Sequence, residues 1–106
     1  MNFTEVKALL FQHGNIGEIC SWLMGDDGFK DEEAEAELES KIGKLQEVHS
    51  DGFYDGYNCE KVFLLEEHGF FLRIKGYYTS YNGTDWDRID EVFPHDKMIV
   101  VYTTTK

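Results

Sequence analysis

At 106 residues the chain is long enough for one modest core and too short for two. A hydrophobic content of 42% with 15% aromatics excludes a disordered chain, and a formal charge of −11 argues against direct binding of nucleic acid or anionic membrane and for basic partners. No apolar run approaches the roughly 18 residues of a membrane span and no secretory leader opens the chain, so a cytoplasmic protein is expected. Cys20 and Cys59 stand far apart without a CxxC, as reduced core thiols do, rather than a disulfide or a metal site.

In chain order, FTEVKALLFQHG reads as a helix with Thr4 as N-cap, Val6, Leu9, Leu10 and His13 at helical spacing, and Gly14 as its stop. NIGEICSWLMG follows as a short second helix with Ile16, Ile19, Cys20 and Leu23 on one face, ending in the turn Gly25-Asp26-Asp27-Gly28. KDEEAEAELESKI forms the third. Ala34, Leu38, Ile42 and Leu45 make one narrow apolar stripe, flanked by Asp31, Glu32, Glu35 and Glu39 on one side and Glu33 and Glu37 on the other.

Beyond SDGFYDGYN the period becomes alternating. CEKVFLLEE predicts a strand that turns at Glu67, His68 and Gly69 into FFLRIKGYYTSY, where Phe70, Leu72, Ile74 and Tyr78 share a face and Arg73 and Lys75 take the half-exposed opposite one. Asn82-Gly83 signals a turn, with NGTDWD as a loop, and IDEVF and KMIVVYTT complete the strands. The expected fold is one α+β domain over residues 1–106, its N-terminal helices packed on one face of a four-stranded antiparallel sheet.

Chemistry-bearing motifs are sparse. His13, His49, His68 and His95 have no helix-spaced His or Cys partner, so structural roles are expected for them. A Cys59 and His68 pair across the first hairpin is thin ground for nucleophilic catalysis. Asp85, Asp87, Asp90 and Glu91 lack the Gly and Glu positions of a calcium loop, and no phosphate-binding, nucleophile-elbow or zinc-protease motif occurs. A non-enzymatic protein without metal or cofactor is therefore expected. Phe53, Tyr54, Tyr57, Tyr77, Tyr78, Tyr81 and Trp86 gather near predicted loops, where they either fill the core of a small sheet or present a contact surface. Core filling is expected for most of them, with Trp86 partly exposed.

The third helix packs six carboxylates into the nine positions from Asp31 to Glu39. At about 1.5 Å per residue this is one charge per ~2 Å of axis, close to the ~1.7 Å of duplex DNA. Asp26 to Asp51 holds ten acids against Lys30, Lys41 and Lys44, a net of −7. The plain alternative is the wet side of an ordinary helix, since solvated acidic helices are common.

The stretch from VFLLEEHG through GYYTSYNGTDWD to EVFPHDKMIVVY, about two fifths of the chain, resembles the ends of small uncharacterised proteins encoded by bacteriophages and related mobile elements. The resemblance implies a shared sheet and, with the acidic charge, the company of phage inhibitors of host defence, including anti-CRISPR and anti-restriction proteins. The expectation is an inhibitor that imitates DNA in the basic channel of a host nuclease or CRISPR effector. Asp26, Asp27, Asp31, Glu32, Glu35 and Glu39 would meet the partner, with Asp85, Trp86 and Asp87 as a second contact. Alternatives are an immunity protein neutralising a basic toxin, or a small enzyme built around Cys59, His68 and the TDWD segment. The KMIVVYTT edge could also pair two copies into a homodimer.

Overall fold

The computed structural model describes residues 1–25, 29, 31–95 and 101–104. Three helices precede a meander of strands: α1 (Phe3–His13), α2 (Ile16–Leu23), α3 (Glu32–Ile42), β1 (Leu45–Asp51), β2 (Tyr57–Leu65), β3 (Phe70–Thr79), β4 (Gly83–His95) and β5 (Val101–Thr103). Every neighbouring pair in the sheet order β1-β2-β3-β4-β5 is antiparallel. None of the described helices is long and apolar enough to cross a membrane.

The first two helices begin on the same device. Asn2 accepts the amide of Glu5 at 2.9 Å while the Glu5 carboxylate accepts the amide of Asn2 at 3.1 Å, and Asn15 and Glu18 repeat the arrangement at the same distances. Each pair satisfies two amides that a helix start would otherwise leave open. The cap of α1 is therefore Asn2 and not Thr4, which lies inside the helix. Asp31 caps α3 through a 3.0 Å bond from the amide of Glu33.

Two expectations about the strands need correction. Leu45 does not extend the stripe of α3, because Gly43 ends that helix at φ 78, a left-handed conformation that its missing Cβ permits. Leu45 instead opens β1, so the sheet has five strands and not four. Nor is NGTDWD a loop. Ser80 to Asn82 connect β3 to β4, Gly83 at φ 74 faces Thr79, and Thr84 to Trp86 continue in the ladder. A three-residue connection closed by a left-handed glycine is a common hairpin solution.

The helices bury their apolar faces against one side of the sheet. Val6, Leu9 and Leu10 of α1, Ile19, Cys20 and Leu23 of α2, and Leu38 and Ile42 of α3 form one core with Phe63, Leu65, Leu72, Ile74 and Ile89. Phe3 meets Phe70 edge-on at 6.2 Å, fixing α1 over the β2–β3 turn. That turn also holds α3, because His68 Nε2 donates to the carbonyl of Lys41 at 3.1 Å while its Nδ1 lies 3.3 Å from the N-terminal amine.

The second face is covered too, which the alternating pattern does not announce. Tyr102 of β5 lies 5.6 Å from the Phe71 ring on β3 and 5.8 Å from the His49 ring on β1. In a flat sheet β1 and β5 would stand about 19 Å apart, four strand spacings. The sheet is curled, and its concave side buries Val62, Val92 and Arg73. Arg73, expected on the half-exposed face, is only 8% exposed.

Candidate functional site

Alanine, glutamate and leucine favour the helical backbone of α3, and its Ala34, Leu38 and Ile42 are buried, so the remaining circumference faces outward. The carboxylates of that circumference are not equivalent. Asp31 is engaged in the cap. Glu35 is half-buried and accepts the amide of Phe29 at 3.2 Å. Glu37 accepts from Lys41 Nζ at 2.7 Å and lies 3.1 Å from His13 Nε2, a charge contact too poorly aligned for a hydrogen bond. The Lys41 hydrogen bond holds the Glu37 carboxyl below its ordinary range; burial opposes it, and the nearby Lys41 and His13 charges add to the lowering.

Glu32, Glu33 and Glu39 remain, exposed and with no ion-pair or hydrogen-bond partner for their carboxylates among the described residues. Of the six residues first assigned to this surface, Asp26 and Asp27 lie outside the described residues. Two of the other four, Asp31 and Glu35, answer backbone amides of this chain. An unbroken row of phosphate-like charges is thus reduced to a sparser array in which Glu33, from the other flank, takes part. Glu35 and Glu39 also line a groove of about 440 Å³ with Trp22, Leu23, Gly25, Gly43 and Leu45.

Asp85, Trp86 and Asp87 stand elsewhere, on β4, in a second groove of about 500 Å³ with Asn58, Lys75, Gly76, Tyr77 and Arg88. β4 carries a bulge here: Arg88 faces Lys75 and Trp86 faces Gly76, leaving Asp87 as the extra residue. Gly76 is required by close approach, since a Cβ there would lie 2.7 Å from the carbonyl of Asp85 and 3.0 Å from the Trp86 ring. Trp86 is half-buried against the core. Asp85 and Asp87 are exposed, but Lys75 and Arg88 share their groove, so it carries both signs.

The catalytic alternative loses its geometry. Cys59 lies near the start of β2 and His68 beyond its end, some six strand residues or about 20 Å apart. Burial pushes the Cys20 thiol up to about 12, with the nearby Cys59 adding to the shift, and burial raises Cys59 as well. Neither thiol is activated, because the nucleophile is the thiolate. The described residues contain no group of three or more His, Cys, Asp or Glu placed to hold a metal ion.

Sequence reasoning passed over a polar system on the concave face. Asp90 accepts from Arg73 Nη2 at 3.1 Å and lies 3.2 Å from Arg88 Nε. His49 lies 3.4 Å from Glu60 on the neighbouring strand. Compared with family models, curated proteins and solved structures, the chain matches none.

Proposed function

We propose that this chain is a non-catalytic binding protein that occupies the basic, nucleic-acid-binding surface of a partner protein, and thereby inhibits it. The carrying observation is α3. Its apolar stripe is fully committed to the core, while Glu32, Glu33 and Glu39 stand in solvent on a short, anchored helix, unneutralised by any of the described residues. The anchored helix fixes where these carboxylates are presented, leaving only their side chains to order when they meet Lys and Arg, and a net charge of −11 accelerates the encounter at low salt. We take the partner to be a host nuclease or CRISPR effector, following the resemblance of the C-terminal half to bacteriophage proteins.

The reading is tested by measuring cleavage by a panel of purified restriction and CRISPR nucleases with and without this protein. Inhibition of at least one, lost on raising salt and in Glu32→Lys/Glu33→Lys/Glu39→Lys, supports it. Undiminished cleavage across the panel, or inhibition indifferent to those three changes, contradicts it.

A further inference from the structure

Four of the six tyrosines gather at the end of the sheet farthest from the β2–β3 turn, and they are exposed: Tyr54 by 69%, Tyr57 by 65%, Tyr77 by 46% and Tyr81 by 82%. Two connections meet there. The Ser80 amide donates to Asp55 Oδ1 at 2.9 Å and the Gly56 amide to the carbonyl of Tyr78 at 2.9 Å, tying the β1–β2 loop to the β3–β4 hairpin. Tyr54 and Tyr57 meet edge to face at 6.5 Å, and Tyr54 is further fixed by its amide bond to the carbonyl of Gly52 at 2.8 Å. Beneath them Phe53 packs at 6.1 Å on Tyr78 and 6.2 Å on Trp86. The tip has its own cluster of half-buried rings; around it stand the four exposed ones, Tyr54 and Tyr57 in mutual contact, Tyr57 on the face of Tyr78 and Tyr77 on the opposite face.

The fold does not require those four rings outside, since polar residues serve equally well at hairpin ends. Tyrosine offers a large, amphipathic contact area at low conformational cost, and such residues concentrate binding energy where they are clustered and rigid. Their surroundings define the partner's chemistry. Asp51, Asp55, Asp85 and Asp87 are exposed beside them. Of the nearby cations, Lys61 is held by Glu47 at 2.6 Å and Arg88 by Asp90, leaving Lys75. Ring faces interleaved with carboxylates suit a guanidinium, which stacks flat on the ring and donates two parallel bonds to a carboxylate; an ammonium does only the lesser part of this. The same carboxylates repel phosphate backbones and anionic lipid headgroups.

We infer that the tip formed by Tyr54, Tyr57, Tyr77 and Tyr81 is a second interaction surface, built to take an arginine-rich segment of a protein partner. It stands on the tip alone and does not depend on contacts by α3.

The probes are nona-arginine and nona-lysine peptides, titrated by calorimetry against the wild-type chain, against Tyr54→Ala/Tyr81→Ala and against Glu32→Lys/Glu33→Lys/Glu39→Lys. The expected result is a preference for arginine of about tenfold, abolished by the tyrosine changes and retained by the helix changes. Tyr54→Ser/Tyr81→Ser serves as a second variant if the first fails to fold, with Trp fluorescence reporting the native tip. Equal affinity for the two peptides overturns the inference, as does an arginine preference that the tyrosine changes leave intact. Tyrosine-dependent binding of duplex DNA or of phosphatidylserine vesicles also overturns it.

Discussion

Arg73 and Asp90 face each other across β3 and β4, with Nη2 3.1 Å from Oδ2, on a face that the curl of the sheet has closed. Among the described residues Arg73 Nε has no hydrogen-bond partner, and Asp90 is the carboxylate that balances the guanidinium. Asp90→Ala leaves a buried cation unpaired and should destabilise the domain by about 3 kcal/mol. Adding Arg73→Met should recover most of the loss. Urea denaturation of the single and double variants checks both.

The carboxylates of α3 should separate in stability as they do in structure. Glu35→Lys removes the acceptor for the Phe29 amide and should cost about 1–2 kcal/mol. Glu39→Lys removes a repulsion with Glu35 one turn away and should be neutral or stabilising by a few tenths of a kcal/mol. Thermal melts of the two variants distinguish an acid held by the fold from one left to solvent.

This distinction was not legible in the sequence, where Glu35 and Glu39 occupy the same flank of the same helix. What separates them is Phe29, whose amide reaches α3 from outside it. Periodicity located the core well: Val6, Leu9 and Leu10, then Ile19, Cys20 and Leu23, then Ala34, Leu38 and Ile42 are buried as their spacing requires. It misread Leu45, which continues the helical spacing by coincidence after Gly43 has already turned the chain. Alternation placed Arg73 on the face opposite Leu72 and Ile74, correctly, but a local period carries no information about whether Tyr102 returns to cover that face. Core filling, expected for most of the loop-proximal aromatics over the alternative of a contact surface, was wrong: Tyr54, Tyr57, Tyr77 and Tyr81 are exposed, and only the pairing of strands brings residues 54 and 81 to one end.

The two buried thiols make stability depend on alkaline pH. Unfolded cysteine ionises near its ordinary 9.0, whereas folded Cys20 resists until about 12. Between those values the unfolded state binds fewer protons, so stability falls as pH rises, by up to about 1.4 kcal/mol per pH unit from Cys20, with Cys59 acting in the same direction. Below about pH 8 neither thiol contributes a slope. Urea midpoints from pH 7 to 10.5 should show the decline, and Cys20→Ala should flatten it even though the cavity lowers the whole curve.

Gly76→Ala should destabilise by about 1–3 kcal/mol, because its Cβ meets the backbone of Asp85 and the ring of Trp86 rather than a mobile chain end. The Trp86 emission should shift in the same variant, since ring and bulge move together.

The proposed function turns on an acidic surface that competes with nucleic acid for a basic partner. The direct measurement is the affinity of this chain for an inhibited nuclease at increasing concentrations of duplex DNA. A competitive rise in apparent Kd, steeper at low salt and absent in Glu32→Lys/Glu33→Lys/Glu39→Lys, is the predicted result. A complex that forms equally well on DNA-saturated enzyme would contradict it.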